Sequence, residues 1–422
     1  VAVSGHAPGR LRSVEEHLAD ILAAVSPLPA VEAALDRAVG RTLVEPAVAT
    51  VAIPVFDNSA MDGFAVRFED VRDAAPGTPV ELTVVGDLPA GSPDDPPLAP
   101  GEAVRIMTGS PVPTAADTIV PFEDTADGLA DSLRRVRVER APHERGAHVR
   151  RAAADTDAGQ TVLPAGVPIG PLQLGAAAAA GIPTLRVSPA PRVVVVSTGS
   201  ELVAPGRPLG RGQIPESNSA LLTALVTAAG GRVVVRATVD DDGADFRRVL
   251  AEATTGDHRA DVLITSGGVS AGAYEVVKNE LAGALHFTRV AMQPGKPQGF
   301  GVLPSGTLAF GLPGNPVSAA VSFETFVRPA LLALQGRREL HRPRLRLPAA
   351  EGWRTPAGRR QYLPAAIDRS DPAAWRVRPA TAGGSGSHLA GGLGLAEAYA
   401  VVPAEVAEVS PGDLVDVLLL EG

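Results

Sequence analysis

Between residues 189 and 338 the chain repeats one pattern: a short β-branched run, a loop of small residues, then a stretch with helical periodicity. The run at 193–196 leads into Ser197-Thr198-Gly199-Ser200-Glu201. The run at 261–265 leads into Ser266-Gly267-Gly268-Val269-Ser270, and that at 307–310 into Gly311-Leu312-Pro313-Gly314-Asn315-Pro316. A further strand is expected over 233–239, with helices over 218–229 and 245–253. Strands apolar along their whole length are buried on both faces. Their alternation with helices predicts a three-layer α/β domain with a largely parallel sheet. Asn315 is placed to cap one more helix with Pro316 in its first turn, and Pro329 should kink it.

The flanking regions read differently. Ser13 and Glu16 have capping-box spacing ahead of Leu18, Ile21, Leu22 and Val25, which share one helical face. Pro27 and Pro29 close that helix, and a second short one is expected over 31–39 with Gly40 as its C-cap. From residue 51, β-like runs at 80–85 and 103–107 lie between Pro- and Gly-rich turns and predict a mostly β domain. Residues 164–180 read as turns and a small helix. After residue 341, Val377, Leu389, Val401-Val402 and a last strand over 414–420 predict a small C-terminal β domain. The fold class is therefore multidomain, α/β and β.

Composition narrows the function classes. Lys plus Arg total 38 against 47 Asp plus Glu, a net charge of -9, so binding nucleic acid or an anionic membrane through bulk charge is disfavoured. The absence of cysteine excludes disulfides, iron–sulfur clusters and thiol nucleophiles. The eight histidines form no HxH or HExxH set, which argues against a histidine metal site. Apolar runs such as 176–180 and 193–196 are too short to span a bilayer. The reading is a soluble, cytoplasmic protein with no nucleic-acid or membrane partner.

Ligands of open α/β sheets bind beyond the carboxyl ends of the strands. Four loops qualify: the three above and Met292-Gln293-Pro294-Gly295-Lys296-Pro297. Their small residues expose backbone amides that suit a phosphate or another oxyanion. Any one of them could be an ordinary tight turn, and it is their repetition at one edge that argues for a site. Neither Gly-x-Gly-x-x-Gly nor Gly-x-x-x-x-Gly-Lys-Ser/Thr occurs, so nicotinamide dehydrogenases and P-loop nucleotidases fit poorly. Glu201, Asp241, Asp242 and Glu275 could provide oxygen ligands for Mg²⁺, or else solvation and caps. Lys296, constrained between Gly295 and Pro297, can neutralise an oxyanion. The segment Asp57-Asn58-Ser59-Ala60-Met61-Asp62-Gly63-Phe64-Ala65-Val66 has no clean period, and Arg105-Ile106-Met107-Thr108-Gly109 ends a strand on a small hydroxyl residue.

Taken together, these segments resemble the molybdopterin molybdenumtransferase family, the MoeA-type enzymes related to the E domain of gephyrin. The resemblance runs in order from Ser59-Ala60-Met61-Asp62-Gly63-Phe64-Ala65-Val66 and the stretch around Thr108. It continues through Val196-Ser197-Thr198-Gly199-Ser200-Glu201-Leu202-Val203, Gly212-Gln213-Ile214 with Ser217-Asn218, and the remaining loops, to Gly384-Ser385-Gly386-Ser387. It implies an elongated domain I from about 1–47 and 146–188, with a mostly β domain II, about 48–145, inserted in it. Domain III, 189–338, would be the molybdopterin-binding α/β domain, and domain IV, 339–422, the C-terminal β domain. It also implies a homodimer with the site between subunits, a molybdopterin adenylyltransferase as upstream partner, and Mg²⁺ as cofactor. Molybdate and adenylylated molybdopterin would be the substrates and AMP a product.

Carried over by position, the resemblance implies catalytic roles for Asp62, Asp155, Glu201, Asp241 and Lys296, with Glu201 and Asp241 on the metal. It implies substrate contacts from Thr108, Ser197, Thr198, Gly199, Ser266, Gly267, Gly268, Ser270, Glu275, Pro294, Pro313, Asn315, Pro316, Ser385 and Ser387. Four positions depart from the family's usual pattern. Ser200-Glu201 stands for Asp-Glu, Glu275-Val276 for Asp-Tyr, Gln293 for lysine, and Ala153-Ala154 for Gly-Glu. Gln293 removes a positive charge that would favour an anionic substrate. The alternatives are a molybdopterin adenylyltransferase, or an inactive molybdopterin-binding or scaffold paralogue. The first lacks the Asp62 segment and usually carries Gly-Gly-Thr-Gly where this chain has Gly267-Gly268-Val269-Ser270.

Overall fold

The run Val193–Val196 is fully buried, and its side chains divide by alternation. Val193 and Val195 enter one apolar cluster, Val194 and Val196 another, because successive strand residues face opposite sides of a sheet. This computed structural model describes residues 11–126, 128, 133–256, 259–268, 276–381 and 390–420. The central sheet has the order Arg232–Val239, Arg192–Thr198, Val262–Ser266, Leu308–Leu312, Pro297–Val302, His286–Arg289. The first four strands are parallel and the last two antiparallel. Helix Asn218–Ala228 covers one face through Leu222 and Val226, and helix Ala244–Thr254 the other through Phe246 and Val249. The three-layer expectation therefore holds.

Strand direction explains how the Met292–Pro297 loop reaches the same edge as the others. Pro297–Val302 runs antiparallel to Leu308–Leu312, so its first residue lies at the carboxyl end of the parallel strands. Just before it, Met292–Gln293 leaves the α/β domain and pairs in parallel with Arg360–Asp368 of the C-terminal sheet.

The helix begun by Pro316 runs to Leu334, with a π-helical stretch at Phe323–Val327. Pro329 lacks an N–H and its ring crowds the carbonyl four residues back, so the wider turn ahead of it absorbs the expected kink. These 19 residues are long and apolar enough to cross a membrane, yet 83% of the apolar window is buried inside the protein. It is a core helix.

The first helix, Val14–Ala23, has the expected capping box. Glu16 N donates to Ser13 Oγ at 3.0 Å, and Ser13 N to Glu16 Oε2 at 2.8 Å. Its Val14 and Ile21 pack with Phe326, Val327 and Leu331 in the α/β core. The first helix therefore joins the α/β core, while Ala33, Leu43 and Ala47 enter a separate cluster. The short helix expected over 31–39 divides. Val31–Ala34 is a strand antiparallel to Thr184–Val187, and only Leu35–Ala38 is helical. Pairing with a segment 150 residues away outweighs a weak local preference. The elongated domain's core takes Ala33, Leu43 and Ala47 from one side of the insertion and Leu163, Ile169, Leu185 and Val187 from the other.

The inserted domain is a five-stranded sheet in the order Thr118–Pro121, Gly63–Val66, Glu102–Ile106, Val80–Leu88, Arg135–Val138. The C-terminal domain is built on Arg344–Pro348, Arg360–Asp368, Ala398–Val402 and Leu414–Leu419, with Arg376–Pro379 added to the second. Leu389 lies outside the described residues.

Candidate active site

The loops at the carboxyl edge of the sheet enclose a cavity of about 530 Å³. Of the residues singled out from the sequence, it brings together Thr198, Gly199, Glu201, Asp241, Ser266, Gly267, Gly268, Lys296, Pro313, Asn315 and Pro316. Pro294 is buried beside this wall without lining it. Ser270, Glu275, Ser385 and Ser387 lie outside the described residues.

One wall is acidic. Asp241 Oδ2 accepts from Ser200 N at 3.1 Å and from Ser200 Oγ at 2.9 Å. Glu201 folds back over Gly199, where a Cβ would stand 2.5 Å from Glu201 Oε2. A side chain at position 199 would displace the carboxylate from this position. Gly267, with φ +96°, lets the neighbouring strand end come close, since a Cβ would meet Thr198 Oγ1 at 2.7 Å.

The floor contains two buried polar atoms without a hydrogen-bond partner, Thr198 Oγ1 and Asn218 Oδ1. Asn218 Nδ2 donates to Ser266 Oγ at 2.7 Å and to Gly314 O at 2.6 Å, locking two loops together. An unpaired buried polar group costs about 1–3 kcal/mol. Two of them at the wall of a polar cavity are what a ligand-binding surface shows when its hydrogen bonds are kept for the ligand. The same cavity carries a cation. Lys296 lines the cavity and makes no ion pair among the described residues, and Gln293 beside it accepts from Arg359 Nη1 at 2.6 Å.

Ser197 is placed differently from its neighbours Thr198 and Gly199. It is buried and does not line the cavity, because its Oγ donates to Glu216 Oε1 at 2.9 Å. Glu216 also accepts from Ser219 N at 2.7 Å and from the Ser219 hydroxyl, and Arg236 Nη2 lies 3.8 Å away. This network anchors the start of helix Asn218–Ala228. Sequence reasoning missed Glu216, and it did not foresee that Gln293 accepts from Arg359. It noticed Ser217-Asn218 without giving Asn218 a role, because a polar residue at a helix start reads as a cap.

Asp62, Thr108 and Asp155 do not line the cavity of this chain. The first two are nevertheless a bonded pair. The pairing of Gly63–Val66 with Glu102–Ile106 sets Asp62 against Thr108, and Asp62 Oδ1 accepts from Thr108 N and Thr108 Oγ1, each at 2.7 Å. The Thr108 backbone N–H, then its hydroxyl, hold the Asp62 carboxyl below the usual range. Both residues are exposed. Asp155 is exposed too, and its amide donates to Ile53 O at 2.9 Å.

Among the described residues no three His, Asp or Glu side chains group to hold a metal. Glu201 and Asp241 are two carboxylates on one cavity, and Mg²⁺ is commonly held by one or two carboxylates together with substrate phosphates. The donor set fits such an ion.

Comparison with known proteins places the chain. Residues 12–181 match the family model described as MoeA N-terminal region (domain I and II), 194–333 the probable molybdopterin binding domain, and 346–420 the MoeA C-terminal region (domain IV). A Mycobacterium tuberculosis protein named molybdopterin molybdenumtransferase 2 is 45% identical over 413 residues, covering 95% of this chain and 98% of that one. The same organism's molybdopterin molybdenumtransferase 1 is 36% identical, covering 97% and 99%. The crystal structure of the molybdopterin biosynthesis moeA protein from Pyrococcus horikoshii superposes with a TM-score of 0.81 at 26% identity, covering 97% of this chain and 100% of that one. With the domain order, the cavity and these likenesses in agreement, the chain belongs to the molybdopterin molybdenumtransferase family of MoeA-type proteins.

Proposed function

We propose that this protein is a molybdopterin molybdenumtransferase. It transfers molybdenum from molybdate to the dithiolene sulfurs of adenylylated molybdopterin, with hydrolysis of the pyrophosphate bond and release of AMP. The observation that carries this reading is that one cavity is lined by two carboxylates, Glu201 and Asp241, and by the cation of Lys296. A doubly anionic substrate pair needs both: cationic groups for the oxyanions, and carboxylates for a neutralising metal.

The protein supplies no covalent nucleophile in this reading. Thr198 Oγ1 and Asn218 Oδ1 offer the substrate unpaired hydrogen-bonding atoms, while the Gly267-Gly268 turn lets it approach the backbone closely. Lys296 neutralises an oxyanion in water-poor surroundings, where such contacts gain strength. Positioning the two substrates together removes much of the entropic barrier. Mg²⁺, held by Glu201 and Asp241 with the substrate's phosphates, would supply charge neutralisation on the pyrophosphate. Asp62 and Thr108, bonded to each other and exposed, suit a role at the cavity of a second copy, so the working form is a homodimer with shared sites. Asp155 belongs to the same side of that junction, and Ser270, Glu275, Ser385 and Ser387 complete the substrate contacts. A molybdopterin adenylyltransferase supplies the substrate, and the reaction runs in the cytoplasm.

The test is substrate dependence. Under anaerobic conditions with Mg²⁺, AMP release and formation of metal-loaded cofactor should rise together on addition of molybdate. Release of AMP without metal loading would reject the transfer.

A further inference from the structure

Among the described residues, two that are not glycine have a left-handed backbone, His148 with φ +59° and Ala153 with φ +58°. They bracket one short stretch, residues 149–152, in the chain that returns from the inserted domain. A Cβ makes that conformation costly, so it persists only where the surrounding contacts dictate it.

The returning chain lies antiparallel to the outgoing one. Beside the elongated domain's core, Ile53 N donates to Thr156 O at 2.8 Å, Thr156 N to Ile53 O at 3.1 Å and Ala153 N to Pro54 O at 2.9 Å. Beside the inserted sheet, Asn58 pairs with Arg150 and Ser59 with Val149, and Ala60 N donates to His148 O at 2.8 Å. Between these two sets no backbone bond joins the two chains among the described residues. The Asp57 side chain closes the gap. Its Oδ1 accepts from Ala152 N at 2.7 Å and its Oδ2 from Arg151 Nη1 at 2.6 Å. Both side chains of this ion pair are exposed, so it adds little stability. What it adds is geometry, because charge-assisted bonds from two neighbouring donors fix the carboxylate against the return segment.

Asp57 is also close in bonding to the Asp62–Thr108 pair. Asp57 O accepts from Val112 N at 3.0 Å, Ser59 N donates to Ser110 O at 3.0 Å, and Gly109 N donates to Ser59 O at 2.8 Å. The segment that leaves Asp57 is thus bonded to the turn that carries Thr108.

We propose that Asp57 is a positioning residue: it clasps the strained return segment at 148–153 and so fixes the angle at which the inserted domain holds Asp62 and Thr108 towards the cavity of a second copy. The inference rests on the shared-site reading, and the experiment separates the two.

The chain has no cysteine, so Val85→Cys on the inserted sheet and Leu172→Cys on the elongated domain, both exposed positions, take spin labels selectively. Pulsed-resonance distances are measured in dimers diluted with unlabelled chain. The expected result is one narrow distribution without further substitution and a width at least doubled by Asp57→Ala, with the melting temperature within a few degrees. Asp57→Asn keeps an acceptor for Ala152 N and should broaden it less. An unchanged width in Asp57→Ala would overturn the clasp. Misplacing the pair should lower kcat/KM about tenfold in the Asp57→Ala homodimer. In mixed dimers with Glu201→Gln, one intact cavity meets one intact inserted domain, and activity should return to about a quarter to a half of wild type. In mixed dimers with Asp62→Ala, whose defect lies on the same side, it should stay at or below the Asp57→Ala level. Recovery by Asp62→Ala with Glu201→Gln but not by Asp57→Ala with Glu201→Gln would place the Asp57 defect in its own chain's cavity and overturn the proposal. If neither mixture recovers, the shared-site reading falls, and the label distances still decide whether Asp57 clasps the return segment.

Discussion

Ser200 donates to one oxygen of Asp241 twice, from its amide at 3.1 Å and its hydroxyl at 2.9 Å. The two residues end neighbouring parallel strands, Arg192–Thr198 and Arg232–Val239, and the contact holds Asp241 at the cavity. Where an aspartate at position 200 would face Asp241 with like charge, the serine offers a donor. The departure from the usual Asp-Glu pair therefore keeps the acidic wall ordered with one carboxylate fewer.

Ser200→Ala should remove the hydroxyl bond and keep the amide bond. Losing one hydrogen bond of about 1 kcal/mol predicts about a fivefold fall in kcat/KM, with Ser200→Thr close to wild type. Steady-state kinetics over a Mg²⁺ titration checks this.

Gly199→Ala should disable the site without unfolding the domain. The new Cβ would lie 2.5 Å from Glu201 Oε2, and a side chain at an exposed loop can rotate away. The expected outcome is a loss of turnover of at least tenfold with the melting temperature within a few degrees of wild type.

The Asp62–Thr108 pair should matter in trans. Asp62→Ala and Glu201→Gln chains, each inactive alone, should recover about a quarter to a half of wild-type activity per mixed dimer. Verified heterodimers isolated with two different tags test this, and no recovery would mean that each site takes both residues from one chain. Thr108→Val should raise the Asp62 pKa towards the ordinary carboxylate value, because its hydroxyl bond is one of the causes of the depression. Carboxyl-carbon NMR titration measures it.

His17 should make the protein acid-sensitive. It is buried edge-on against Phe326 with ring centroids 4.7 Å apart. Burial first, then Arg12, push its pKa down from 6.5 to about 4. In that window the unfolded chain takes up a proton that the folded one refuses. Stability therefore falls as pH drops through 6.5 towards 4, by about 3 kcal/mol in all. His17→Leu should flatten this part of the pH–stability curve in denaturant titrations.

The α/β domain was largely legible because its signals are local. Val193–Val196 is fully apolar for a strand covered on both faces, and each small-residue loop directly follows its strand. The Ser13–Glu16 capping box was equally local. What escaped was set by distant contacts. Val31–Ala34 reads as a helix until Thr184–Val187 is there to pair with it. Ser197 sits in the same loop as cavity-lining Thr198, and its burial against Glu216, 19 residues on, is not written in the local sequence. The Arg359–Gln293 bond was invisible for the same reason, since 66 residues separate the two.

The most direct measurement compares wild type and Glu201→Gln in an anaerobic single turnover with adenylylated molybdopterin, molybdate and Mg²⁺, following AMP and metal-loaded cofactor together. The account predicts that the wild type forms both products in equal amounts, while Glu201→Gln binds the pterin with near-normal affinity and forms neither. Equal turnover by the two proteins, or tight pterin binding by the wild type with neither product formed, would contradict it.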